Sequence, residues 1–174
     1  MSQMYEWINK TSNPLAGACI HNCSYCYVNK MKQRYPLLKE KYSGPPRIWE
    51  PEFKKKFKPT DFVFVCDCND LFAEDVNSED ILRILTFYQK FGCKCLFQTK
   101  NPKRMKTFVD NNNFPNNSVL CTTIETSILD EIWYRGIDFA NIKTTFPKMV
   151  TIEPIMTFDF FIMMTLMKRI NPYQ

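Results

Sequence analysis

The sequence predicts an α/β fold, a partial (βα) barrel built from about five parallel βα units with a cysteine-rich loop after its first strand. Three observations predict it. Short apolar runs alternate with stretches of helical periodicity, Gly, Pro and Asn punctuate the junctions, and the run Phe62-Val63-Phe64-Val65-Cys66 is continuously apolar, as in a parallel strand covered on both faces. The chain has 174 residues, 45% of them apolar, which is enough for one core, so residues 1–174 are read as a single domain.

Each element has its own signal. A first strand is expected over 15–18, then the cysteine loop and a polar helix over 26–35. Residues 36–60 carry Gly44-Pro45-Pro46, Pro51 and Pro59 and read as a long irregular connection with one helical turn over 52–57. After the strand at 62–66, Ser78 is read as the cap of a helix whose apolar positions are Ile81, Leu82, Ile84, Leu85 and Tyr88 and which stops at Gly92. A strand over 93–98 follows, and Asn101-Pro102 opens a helix to about 109, with proline at its favoured first position. Strands over 118–124 and 148–153, a short helix over 128–133 and a last helix over 158–169 complete five units. Right-handed crossovers bring the strand C-terminal ends to one rim. Polar groups gather there: Cys66-Asp67-Cys68-Asn69-Asp70, Gln98-Thr99-Lys100, Glu125 and Glu153.

Composition removes several functions. Four glycines, at 17, 44, 92 and 136, cannot write a dinucleotide fingerprint or a P-loop. One histidine, His21, excludes a two-histidine zinc site and argues against hydrolases that pair a nucleophile with a histidine base. The N-terminus has no apolar leader, so a cytoplasmic location is expected, and eight cysteines in a reducing compartment point to metal before disulfides. The longest apolar run, 160–167, is far short of a bilayer span, so no membrane partner is expected. The net charge of +5 is uneven: residues 30–58 carry ten basic and three acidic side chains, while the remainder is slightly acidic.

Cys19, Cys23 and Cys26 are separated by three and then two residues. One tight loop with this spacing can turn three thiolates toward a common centre, which suits three irons of a 4Fe-4S cluster and leaves the fourth open. An open iron can chelate the amino and carboxylate groups of S-adenosylmethionine, and one electron then yields methionine and a 5′-deoxyadenosyl radical.

This spacing, with Tyr25 directly before the third cysteine, resembles the signature of the radical S-adenosylmethionine superfamily. A narrower likeness, to the phage-type radical S-adenosylmethionine proteins of phages and bacteria, lies in Asn13-Pro14-Leu15-Ala16-Gly17-Ala18-Cys19, in Asn69-Asp70-Leu71-Phe72-Ala73-Glu74-Asp75-Val76, in Phe97-Gln98-Thr99-Lys100-Asn101-Pro102, and in Thr151-Ile152-Glu153-Pro154. The resemblance implies a 4Fe-4S cluster on Cys19, Cys23 and Cys26, with Tyr25 near the adenine and Asn69 and Asp70 beside the methionine amino group. It also implies Glu125 at a ribose-contacting position, Glu153 facing the methionyl moiety, and an electron donor such as flavodoxin or ferredoxin. The substrate and product are not legible.

Two departures stand out. Small residues usually stand where Cys66 and Cys68 are found, and the likeness would continue into a sixth strand beyond Gln174. The edge of the fifth strand is therefore expected to be open to self-association or to a separately encoded C-terminal fragment. The competing readings are a zinc-stabilised, non-catalytic binding module, with His21 or Cys66 as fourth ligand, and an inactive truncated remnant. Cys66, Cys68, Cys93 and Cys95 as a second metal site, and a nucleic-acid partner on the basic stretch, are the less favoured expectations.

Overall fold

The structure, a computed structural model, describes residues 5–172. Its centre is a five-stranded, all-parallel sheet of β1 (Lys10–Ser12), β4 (Phe62–Val65), β5 (Lys94–Thr99), β6 (Ser118–Thr123) and β7 (Lys148–Thr151). They lie in the order β1-β4-β5-β6-β7 with β1 and β7 at the edges, so the sheet is open and does not close on itself. A separate two-stranded antiparallel ribbon joins β2 (Leu15–Ala16) to β3 (Arg47–Ile48). Between its strands lie α1 (Tyr27–Arg34) and α2 (Pro36–Lys41), and a 3-10 turn over Glu50–Lys54 follows β3. The remaining helices are α3 (Ser78–Gln89), α4 (Pro102–Asp110), α5 (Asp130–Ala140) and α6 (Phe160–Ile170).

The two sheet faces differ. Side chains alternate along each strand, and Val63, Val65, Cys95, Phe97 and Leu120 point into the main core. There they meet Ile81, Ile84, Leu85 and Tyr88 of α3, Met105 and Phe108 of α4, Phe139 of α5 and Leu166 of α6. The opposite face carries a smaller cluster of Phe64, Leu96, Val119 and Cys121 closed by Ile8. Thus α3, α4, α5 and α6 all cover one face, and the site lies at the strand ends of the other.

Several sequence expectations change. The strand expected over 15–18 is not part of the main sheet: Lys10–Ser12 takes that place, parallel to β4, and Leu15–Ala16 joins the ribbon instead. Lys10 and Thr11 are polar and exposed at a sheet edge, so they lack the apolar signal that marks central strands. The connection over 36–60 contains α2 and β3 as well as the expected turn. Asn77 rather than Ser78 caps α3, its Oδ1 accepting the Glu79 N–H at 2.9 Å. Residues 128 and 129 lie outside α5, which runs on to Ala140 because Phe139 buries its far end in the core. Gly92 ends α3 at φ +64°, a conformation that favours glycine.

No helix among the described residues is long and apolar enough to cross a membrane.

Candidate functional site

The cysteine loop leaves β2 through Gly17, whose φ of +103° favours glycine. A Cβ there would run into the Pro45 carbonyl and lie 2.7 Å from Cα of Pro46. The close approach lets the Gly17 N–H donate to the Lys41 carbonyl and the Ala18 N–H to the Gly44 carbonyl, both at 2.8 Å. From the sheet side, Asn69 Nδ2 donates to the Gly17 carbonyl at 3.0 Å. Within the loop, Asn22 takes a left-handed φ of 40°, and the Cys26 N–H donates to the Cys23 carbonyl at 3.0 Å. A glycine, a left-handed asparagine and a tether to the loop after β4 thus shape the three-cysteine turn.

Cys19, Cys23 and Cys26 line one cavity of about 330 Å³, within the usual size of a small-molecule site. Tyr25, Asn69, Asp70 and Glu153, all predicted from sequence, line it too, with Lys100. The thiols are half-buried, and burial pushes the Cys19 thiol up to about 11, so a metal would have to displace its proton. Among the described residues, no three or more Cys, His, Asp or Glu side chains form a group able to hold a metal ion.

Asp70 is 6% exposed, and its carboxylate is fully engaged. Oδ1 accepts from Thr99 Oγ1 at 2.7 Å and from the Phe72 N–H at 2.9 Å. Oδ2 accepts from His21 Nε2 and from the Lys100 N–H, each at 2.8 Å. Burial raises the cost of its charge, yet the His21 contact and the other donors prevail and hold the carboxyl below its usual range. It caps the turn after β4 and also clamps His21 of the cysteine loop.

Asp67, three residues earlier, is the opposite. Its Oδ1 accepts from Asn13 Nδ2, no ion pair to it forms among the described residues, and burial pushes its carboxyl up. Asp67 thus lines the cavity as a carboxyl with no paired cation among the described residues.

Glu125 stands behind the cavity lining rather than on it. It is 4% exposed and held by Tyr25 Oη, Lys100 Nζ and Arg135 Nη1, the last at 2.7 Å. Burial pulls both cations, Lys100 and Arg135, below their ordinary values, and the shared carboxylate balances them. Glu125 thereby locks the ring of Tyr25, next in sequence to Cys26, against α5 and the end of β5. The floor is a chain of neutral groups: Tyr5 Oη donates to Gln98 Oε1 at 3.3 Å, and Gln98 Nε2 donates to Thr123 Oγ1 at 2.9 Å.

Cys66 and Cys68 line the same cavity, unlike Cys93, Cys95 and Cys121. Burial pushes the Cys68 thiol up to about 11 and that of Cys66 higher still. Cys66 also has φ +60°, a left-handed region that favours glycine.

Sequence reasoning passed over Tyr5 and Arg135 as site residues, placed Asp67 only among the rim polar groups and named His21 only as an alternative zinc ligand. His21 had a signal, being the sole histidine and inside the cysteine motif. Arg135 had none, because only the docking of α5 brings it to Glu125.

A family profile described as "Protein of unknown function (DUF5131)" matches residues 2–160. The chain belongs to this family. No curated protein and no solved structure matches this DUF5131 chain.

Proposed function

We propose that this DUF5131 chain is a radical S-adenosylmethionine protein acting on a substrate that its residues do not name. The observation that carries the reading is that Cys19, Cys23 and Cys26 share one wall of a single cavity at the C-terminal ends of parallel strands. Their three thiolates are the donor set for a 4Fe-4S cluster with one open iron. When bound, such a cluster supplies the electron that cleaves S-adenosylmethionine to methionine and a 5′-deoxyadenosyl radical, with a flavodoxin- or ferredoxin-type donor as the electron source.

The chain's own residues have distinct parts. Asp67 meets the cationic amino end of the ligand, with Glu153 on the same lining. Tyr25, fixed by Glu125 and Lys100, presents a ring edge to the adenine. Asp70 and Asn69 hold the cysteine loop to the sheet, Asp70 through His21 and Asn69 through Gly17. The parallel sheet with α3, α4, α5 and α6 all on one face supports the partial barrel.

The zinc reading has less support. A structural zinc needs four ligands converging on one ion, and no convergent group exists among the described residues. Cluster thiolates each bind a different iron, so they surround one larger body rather than meeting at a single ion.

Anaerobic purification followed by incubation with S-adenosylmethionine and dithionite tests the proposal. Roughly four irons per chain and formation of 5′-deoxyadenosine are expected. A colourless protein with one tightly held zinc overturns it, and iron without 5′-deoxyadenosine reduces it to a non-catalytic cluster protein.

A further inference from the structure

We infer that the basic stretch 30–58 is a binding surface for single-stranded nucleic acid that starts beside the cavity at α1 and ends at the segment leading into β4. The inference goes beyond the cluster chemistry and stands independently of it. The stretch has ten basic and three acidic residues, and two of the acids are already engaged. Glu52 is largely buried, accepting from Ser12 Oγ at 2.8 Å and pairing with Lys55 at 2.7 Å. Glu50 is paired outside the stretch, with Arg83 at 2.8 Å. Lys41 is buried and donates to the Asn13 carbonyl at 2.8 Å.

Lys32 donates to the Tyr42 carbonyl and Arg47 to the Ser43 and Glu40 carbonyls, which leaves Lys30, Arg34, Lys39, Lys54, Lys56 and Lys58, all exposed and, like the exposed third acid Glu40, in no ion pair among the described residues. Six exposed cations against one exposed unpaired carboxylate, Glu40, on a chain whose remainder is slightly acidic form a local positive field that a polyphosphate backbone neutralises by releasing counterions.

Geometry favours a single strand over a duplex. The six cations are spread over α1, α2, the last residue of the 3-10 turn and the segment after it, so no single long helix or paired ribbon presents them to a major groove. Tyr35, between the two helices and next to Arg34, is 55% exposed and offers a ring on which a base can stack. α1 starts directly after Cys26, and Cys26, Tyr27 and Val28 all line the cavity. The α1 end of this surface therefore adjoins the cavity, while Lys56 and Lys58 lie toward the start of β4.

The test is fluorescence anisotropy on the full chain with labelled oligo(U) and oligo(dT) of about 20 nucleotides and a matching duplex, at about 50 and 200 mM salt. The single strands are expected to bind more tightly than the duplex and to weaken steeply with salt, and the RNA and DNA arms decide which is preferred. Lys54→Gln/Lys56→Gln/Lys58→Gln is expected to weaken binding at least tenfold and to flatten the log–log salt slope by about 2. Lys30→Gln/Arg34→Gln/Lys39→Gln gives the same reading from the other part of the surface, should the first variant fold poorly. No binding at low salt, duplex preference, unchanged affinity in both folded variants, or stronger association with vesicles of anionic phospholipid would each overturn the inference.

Discussion

Cys19, Cys23 and Cys26 stand half-buried on a cavity wall, whereas Cys95 and Cys121 are buried in strands of the sheet and Cys93 is buried just before β5. The residue type is the same, and the surroundings set its chemistry. In the sheet, cysteine behaves as a small apolar side chain: burial pushes Cys121 up to about 12, and the Cys93 and Cys95 sulfurs, 3.7 Å apart, contact one another away from the cavity. On the loop, three thiols face a space shared with Asp67, Lys100 and Tyr25. Cys66 and Cys68 fall between, on the cavity yet strongly desolvated. The number of cysteines therefore says less than which of them reach the cavity.

The largest expected effect breaks the comparison outright. Replacing Cys19, Cys23 and Cys26 by alanine should abolish iron binding by the anaerobically purified protein, while Cys93→Ala with Cys95→Ala should leave the iron content unchanged. Equal iron in both variants, measured by colorimetric assay, would erase the distinction between the two regions.

A second contrast concerns the residues that hold the loop in place. Asp70→Ala removes an ionised, buried acceptor and strands His21, Thr99 and two backbone donors, so urea unfolding should show a loss of about 3 kcal/mol. Asp67→Asn keeps the Asn13 contact and should cost under about 1 kcal/mol, while weakening S-adenosylmethionine binding about tenfold. The pH dependence has a definite sign. The folded-state carboxyl of Asp70 lies below its unfolded value, so its stabilisation is present above the ordinary aspartate range and is lost as pH falls through the lowered value. Stability of Asp70→Ala should accordingly change less than that of the wild type on acidification.

The smallest effect sharpens the core side of the comparison. Cys95→Ala leaves a small void under the sheet and should lower stability by about 1 kcal/mol with no change in iron content or ligand binding. A larger loss accompanied by loss of iron would mean that the strand thiols communicate with the cavity.

Periodicity alone carried the α/β class, the parallel core strands and the helices α3 and α4, because burial on one or both faces leaves a repeating pattern in the residues themselves. Phe62–Val65 is apolar throughout and central, and Asn101-Pro102 marks a helix start by chemistry local to two residues. The cysteine spacing was legible for the same reason, being a property of eight consecutive residues. Edge strand Lys10–Ser12 and ribbon strands Leu15–Ala16 and Arg47–Ile48 were not legible in their true pairing, since their partners are distant in sequence and short strands carry little pattern. Tertiary structure alone decided that Asp70 is saturated while Asp67 is open, and that Glu125 lies behind Tyr25 with Lys100 and Arg135. Hydrogen-bond saturation and charge balance depend on which groups packing brings within about 3 Å, and that information is not carried by any one stretch of chain.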